Sequence, residues 1–191
     1  MGSTESGREP DMQCINCCEQ AKNCIGDKVF VCLMEPKHAP SVAELEKLCF
    51  TVPWSEQAFL DELQKNPTAR YFVLLNKANP SQVIAYGGYW KIFDEGHITN
   101  IAVHPDWRNQ KAATYLLCQM IQFAKAEGIG DMTLEVRTSN FAAQAVYRKL
   151  GFQNEGIRKH YYEDTGEDAI IMWYRHNHKE LDKHEEERLC Q

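Results

Sequence analysis

The chain has 191 residues, of which 43% are hydrophobic and 25% are charged, and its formal net charge is −6. These values are ordinary for a globular domain that buries a core of its own. No apolar run approaches the ~20 residues that a membrane span needs, and the negative charge argues against binding nucleic acid through a broad basic face. The N-terminus is polar and lacks the apolar core of a signal peptide. We therefore expect a cytoplasmic protein, a monomer, with neither a membrane nor a nucleic acid as partner.

The first 27 residues hold four of the eight cysteines. Their spacing, Cys-x2-Cys-Cys-x5-Cys, contains one half of a zinc-binding pattern but no matching second pair. This favours a flexible, reduced extension over residues 1–27 whose removal leaves the fold intact, and we expect no metal site. The four cysteines are Cys14, Cys17, Cys18 and Cys24. Cys49 and Cys118 lie in apolar patterns typical of small buried side chains.

The predicted elements begin with a strand over residues 28–34 and two helices. The first helix follows from Ser41, which is spaced from Glu44 as in a capping box. Ser55 is in position to cap the second helix. Asn66-Pro67 ends that helix, because the residue before a proline avoids the helical region.

Strands and helices then alternate as far as residue 174. Runs of β-branched and aromatic residues between turn residues predict strands, and apolar residues recurring every three to four positions predict helices. Such alternation predicts an α/β or α+β domain over residues 28–174, with helices on both faces of one sheet. The predicted strands are 71–75, 83–92, 97–103, 132–136, 154–158 and 168–174, and the predicted helices are 112–127 and 141–150.

The last segment, residues 175–191, is highly charged. It contains four side chains that could bind a metal, but the density of charge favours a solvated tail. These side chains are His176, His178, His184 and Cys190.

Two strand–loop–helix segments carry the functional signal. Ile98–Leu117 passes from a β-branched strand through His104-Pro105-Asp106 and a basic, amide-rich loop into an amphipathic helix, and Met132–Phe152 repeats the strand–loop–helix order. Such a loop offers free backbone N–H groups and a helix N-terminus, which together suit phosphate groups.

Three blocks give these segments a family resemblance. They are Asp94–Arg108, then Leu134–Asn140 with Val146–Phe152, then Tyr161-Tyr162 with Gly166–Met172. Over residues 28–174 the chain resembles the GNAT acetyltransferase superfamily. Within that superfamily its motif sequences are most similar to those of the RimI-type enzymes, which acetylate the N-terminal alanine of a small-subunit ribosomal protein. The resemblance implies acetyl-CoA as co-substrate and a mixed central sheet that is splayed where acetyl-CoA binds.

The resemblance also implies which residues hold acetyl-CoA. The backbone of Ile101, Ala102 and Val103 pairs with the pantetheine arm, and an N–H near Val103 polarises the thioester carbonyl. The pyrophosphate loop of the family, Arg/Gln-x-x-Gly-x-Gly/Ala, corresponds to residues 108–113. Those residues are Arg108, Asn109, Gln110, Lys111, Ala112 and Ala113.

Lys111 departs from the family pattern, which has glycine there. Glycine lets a backbone approach phosphate closely, whereas the lysine ammonium could compensate by meeting a phosphate itself. Asn140 is implied as a pantetheine ligand, with helix capping as the alternative.

Glu135 and Tyr147 resemble the catalytic pair of the RimI-type enzymes. Glu135 would take a proton from the attacking amine, and Tyr147 would protonate the departing thiolate. The alternatives are a surface carboxylate paired with Arg137 or a lysine, and a half-buried helix aromatic with its hydroxyl in water.

Aromatic residues are implied as walls of the peptide groove. They are Trp54, Tyr161 and Tyr162, with Phe50 as a further candidate that is as consistent with packing on the core.

The expected function is acetylation of a ribosomal protein's N-terminal alanine by direct transfer. One alternative keeps the fold and changes the acceptor to lysine side chains or small amines, because a fold does not fix a substrate. The other is a non-enzymatic CoA sensor or scaffold with weakened cofactor binding, which an intact Glu135/Tyr147 pair argues against.

Overall fold

The structure is a computed structural model that describes residues 10–175, with side chains from Asn16 onward. Its centre is a seven-stranded sheet in the order β1-β2-β3-β4-β5-β7-β6, in which only β4 and β5 run parallel. The mixed α/β architecture predicted from the sequence is therefore confirmed. The strands are β1 Val29–Leu33, β2 Ala69–Asn76, β3 Asn79–Ile92, β4 Glu95–Val103, β5 Asp131–Arg137, β6 Gln153–Tyr162 and β7 Glu167–Arg175.

Helices cover both faces of the sheet. The alternation of side chains along a strand explains this, because successive residues of β2 point to opposite faces. Tyr71 and Val73 join the core under α2 and α3, while Phe72 and Leu74 join the core under α4 and α5. The helices are α1 Pro10–Ile25, α2 Ala39–Cys49, α3 Glu56–Lys65, α4 Ala112–Ala126 and α5 Phe141–Lys149.

The sheet is splayed between its two parallel strands. β4 pairs with β5 only through Glu95–His97, so its second half, Asn100–Val103, has no ladder on that side. The pairing of β4 with β3 also shifts register beside Gly88. The N–H of His104 donates to the carbonyl of Ile84 at 2.8 Å. By alternation, the backbone groups of residues 101 and 103 face the gap.

The N-terminal segment is not a flexible extension over its whole length. Pro10–Ile25 forms α1, which packs against α4 and α5 and buries Ala21 and Ile25. A disulfide joins Cys18 to Cys118 of α4, so the expectation of a reduced Cys18 is wrong. The local sequence did not predict this packing, because the apolar surface that contacts α1 lies on helices far from it along the chain.

Local capping signals were partly correct. The Ser55 hydroxyl accepts the N–H of Ala58 at 3.1 Å, which confirms the predicted cap of α3. The predicted capping box of α2 is wrong. That helix starts at Ala39 after a 3-10 turn, and the Ser41 hydroxyl donates to the carbonyl of Ser81 instead.

The predicted charged tail lies outside the described residues except for Arg175, which ends β7. Within residues 10–175, no helix has the length and apolar character needed to cross a membrane. No group of three or more potential metal ligands occurs within that range either.

Candidate active site

A cavity of about 660 Å³ opens where β4 separates from β5. It lies between the end of β4, the loop after it, and helices α4 and α5. The fold thereby gathers most of the residues implied to hold acetyl-CoA around one space. Those that line it are Ile101, Val103, Arg108, Asn109, Lys111, Ala112, Ala113 and Asn140, together with Tyr147.

The loop before α4 has the backbone shape of an anion site. Asn109 and Lys111 both have a positive φ, at 61° and 68°, and Lys111 is the N-cap residue of α4. Left-handed residues next to a helix start turn successive N–H groups toward one point, where the helix dipole is also positive. Lys111 thus holds the left-handed conformation that the family's glycine would adopt, at a steric cost of roughly 1 kcal/mol.

Two residues implied for acetyl-CoA point elsewhere. Ala102 is buried in the core under α2 and α3. The Gln110 amide donates to the carbonyl of Asp106 at 2.8 Å and does not line the cavity.

Asn140 combines both of its interpretations. Its side-chain oxygen accepts the N–H of Ala143 at 3.1 Å, so it caps α5. It also lines the cavity, where a cap residue at a helix start adds one more polar group.

Arg108 is exposed, and its side chain folds back onto the end of β4. Its Nε donates to the carbonyl of Val103 at 3.3 Å, and its guanidinium lies 3.6 Å from the Cys49 sulfur. The Cys49 thiol also reaches the Val103 carbonyl, at 3.5 Å. Burial is the main cause that raises the pKa of this thiol. Cys49 is therefore a half-buried neighbour of the cavity and carries its proton at neutral pH.

Glu135 has an arginine partner, but not the one anticipated. Its Oε1 lies 3.2 Å from the guanidinium of Arg158 on β6. Arg137 instead binds Asp164 at 2.8 Å and Glu167 at 3.4 Å. The Glu135 side chain is 23% exposed and that of Arg158 is 55% exposed, so this ion pair is accessible to an incoming cation.

Tyr147 lies in the cavity wall with its ring 5.8 Å from that of Phe152. Burial raises the pKa of Tyr147 well above its usual value, so the hydroxyl keeps its proton at neutral pH. Tyr162 contacts the strand that carries Glu135, because its hydroxyl donates to the backbone carbonyl of Glu135 at 3.4 Å. Burial raises the pKa of Tyr162 to about 12.

The residues implied to line the peptide groove lie in two segments, the end of β6 and the loop between α2 and α3, and a hydrogen bond joins the two segments. Tyr161 and Tyr162 lie edge to face, 5.2 Å apart, at the end of β6. The Thr51 hydroxyl donates to Asp164 at 3.4 Å and thereby joins the segment between α2 and α3 to the β6–β7 turn. Trp54, in that same segment, packs its ring 5.4 Å from Phe59.

Sequence reasoning missed two polar neighbours of this region. Arg158 reaches Glu135 across strand β7, and such a pairing leaves no signal in the local sequence. Glu46 is buried between α2 and β3, although its helical spacing next to Leu45 could have raised the question of burial.

Comparison with known protein families gives a match over residues 39–152 to the acetyltransferase (GNAT) family. A Bacillus subtilis protein, provisionally named a [ribosomal protein bS18]-alanine N-acetyltransferase, is 42% identical over 132 residues. That alignment covers 69% of this chain and 85% of the relative.

An Escherichia coli protein named [ribosomal protein bS18]-alanine N-acetyltransferase is 36% identical over 73% of this chain and 92% of its own length. The crystal structure of the ribosomal-protein-S18-alanine N-acetyltransferase from Escherichia coli superimposes with a TM-score of 0.69, covering 77% of this chain and 93% of that one at 32% identity. The likeness therefore extends over nearly the whole length of these relatives.

Proposed function

The chain belongs to the GNAT family of acetyl-CoA-dependent acetyltransferases, beside its RimI-type members, and from this premise we propose that it acetylates the N-terminal alanine of a small-subunit ribosomal protein. The observation that carries the proposal is the 42% identity to a relative whose name states this substrate. Cytoplasmic location follows from the same proposal, since ribosomal proteins are made and assembled there.

The cavity suits acetyl-CoA on the evidence of its own residues. The backbone of residues 101 and 103 has no ladder partner on the side of β5, so its N–H groups offer strand-like hydrogen bonds to a pantetheine arm. The left-handed loop at Asn109 and Lys111 and the start of α4 offer N–H groups to a pyrophosphate. When bound, acetyl-CoA would supply an activated acetyl thioester.

Glu135 is proposed as the base. An N-terminal amine has a pKa of ~8, so at neutral pH a carboxylate within reach needs to remove only one weakly held proton. Arg158 contacts Oε1 of Glu135, and among the described residues no ion pair involves Oε2. The amine therefore has an oxygen to approach without first displacing the arginine.

Tyr147 is proposed as the acid. Its pKa is raised by burial, so it carries its proton at neutral pH and has one to donate to the thiolate as that group departs. The N–H of Val103 faces the gap between β4 and β5, where it would stabilise negative charge on the thioester oxygen. With both residues in place, transfer proceeds directly from donor to amine, and Cys49, whose thiol stays protonated, is not needed as a carrier.

A peptide panel tests the acceptor. We expect acetylation of a peptide with a free N-terminal alanine, and none of the same peptide with its α-amine blocked, although its lysines are unchanged. The measurement is the initial rate of thiol release from acetyl-CoA. Equal rates on the blocked peptide would support acetylation of lysine side chains, and binding of acetyl-CoA without turnover on any amine would support the scaffold alternative.

A further inference from the structure

The segment between α2 and α3 is held by a buried carboxyl group. Glu46, in the last turn of α2, is only 1% exposed. One of its oxygens accepts the backbone N–H of Trp54 at 2.9 Å, and the other accepts the hydroxyl of Tyr86 on β3. The chain of contacts continues, because the amide of Asn100 on β4 donates to the Tyr86 hydroxyl at 3.3 Å.

A second tyrosine–glutamate pair on the same strand provides a contrast. The Tyr89 hydroxyl donates to Glu127 at 3.2 Å, and Glu127 is neutralised by Arg70 at 2.9 Å. Glu46 has no such partner, since no lysine or arginine within residues 10–175 forms an ion pair with it. Burial raises the pKa of Glu46, with its two hydrogen bonds opposing the shift.

A buried ionisable group without a countercharge is an expensive way to stabilise a fold. An apolar side chain of the same size would fill this space at lower cost. The polar contacts of Glu46 therefore indicate a role other than stabilising the fold, and the segments that they join indicate what that role is. They join Trp54, in one wall of the candidate peptide groove, to Asn100 at the start of the unpaired half of β4.

Among the described residues, one other hydrogen bond joins the segment that carries Trp54 to the opposite side of the groove. It is the 3.4 Å hydrogen bond from Thr51 to Asp164, and both residues are exposed. Without Glu46, the loop from Phe50 to Ser55 would be fixed by the helices at its ends, by the packing of the Trp54 ring against Phe59, and by this exposed hydrogen bond. Exposed hydrogen bonds of this kind contribute little to order.

We propose that Glu46 is a positioning residue for the acceptor peptide: through Tyr86 and Asn100 it fixes the Trp54 segment relative to the strand that receives the acetyl donor. The inference rests on the proposed function, since it concerns the groove for that acceptor. It assigns Glu46 no contact with the reacting atoms.

The experiment measures steady-state kinetics on the alanine peptide and calorimetric binding of acetyl-CoA. Glu46→Leu and Tyr86→Phe should each raise the peptide KM about tenfold, the equivalent of one lost hydrogen bond, while kcat and acetyl-CoA affinity stay within twofold. Glu46→Gln, whose side-chain oxygen still accepts the Trp54 N–H, should raise KM less than Glu46→Leu. Tyr89→Phe, in the remote pair, is the matched control and should leave the peptide KM unchanged.

The outcomes separate the two proposals. If the unsubstituted protein does not acetylate the alanine peptide, the proposed function fails. If it does, and Glu46→Leu has an unaltered peptide KM, the positioning role is wrong. A fall in kcat alone, in proportion to a smaller fraction of protein that binds acetyl-CoA, would mark Glu46 as merely structural and would also overturn the inference.

Discussion

At the residue scale, the proposed chemistry depends on how Glu135, Arg158 and Tyr162 are arranged near the end of β5. Glu135 is fixed by the β5–β7 ladder, Arg158 meets its carboxylate, and Tyr162 donates to its carbonyl. An exposed ion pair of this kind is worth less than about 1 kcal/mol, so the arginine does not block the carboxylate from an incoming amine. It orients one oxygen and leaves the other available.

Lys111 gives a separate prediction at this scale. Its left-handed backbone already has the conformation expected of glycine, so the loop needs no rearrangement to meet a pyrophosphate. We therefore predict that its ammonium strengthens acetyl-CoA binding. A charge-assisted hydrogen bond contributes ~1.5–3 kcal/mol, and its loss in Lys111→Ala or Lys111→Gly should weaken binding about tenfold or more and reduce its salt dependence.

Calorimetry at two salt concentrations checks this prediction. Lys111→Gly removes the charge while favouring the same backbone conformation, so it isolates the ammonium from the shape of the loop. Tighter binding in both variants would mean that the lysine obstructs the site, and would revive the scaffold alternative.

The residues that line the cavity could be predicted from the sequence where they belong to one continuous motif. The strand end, the loop and the start of α4 are contiguous, and the structure brings nearly all of them to one cavity. The contacts that Arg158, Glu46 and Thr51 make were not accessible. Each depends on pairing between segments distant in the chain, which periodicity and spacing do not encode.

At the scale of elements, α1 is the main departure from expectation. Its buried residues, Ala21 and Ile25, are one helical turn apart and too few to give a clear amphipathic pattern. Their burial depends on the surface of α4 and α5, and the cross-link partner of Cys18 is 100 residues away. Strands bounded by turn residues, and the cap at Ser55, were predicted correctly because their signals lie within a few residues.

We predict that deleting residues 1–27 destabilises the domain. Exposing the surface beneath α1 and losing the disulfide should together cost about 3 kcal/mol or more, which lowers the midpoint of thermal unfolding by roughly 5–10 °C. Cys18→Ser should lower the midpoint only under oxidising conditions, whereas the deletion should lower it in reducing buffer too.

Cys24→Ser is the matched control, since Cys24 is a free and exposed cysteine on the same helix. Differential scanning calorimetry with and without a thiol reductant distinguishes the variants. An unchanged midpoint after the deletion would show that α1 adds nothing to stability.

At the scale of the whole molecule, the proposed function places donor and acceptor on different faces of the sheet. The cavity for acetyl-CoA opens between α4 and α5, whereas the segment carrying Trp54 follows α2, which covers the other face. The two regions approach each other at the end of β4, where Arg108 of the cavity contacts Cys49 of α2. This arrangement suits direct transfer between two molecules that enter from different sides, and the net charge of −6 suits an acceptor that is basic.

The most direct test of the whole account is the rate at which an intact small-subunit ribosomal protein with an N-terminal alanine gains acetyl from acetyl-CoA. Intact-mass spectrometry with fragmentation measures both the rate and the position. The account predicts one acetyl group, located on the α-amine. It also predicts that Glu135→Gln and Tyr147→Phe each lower the rate by about a hundredfold or more, while acetyl-CoA affinity stays nearly unchanged. Acetyl groups on lysine side chains, or full activity in both variants, would contradict it.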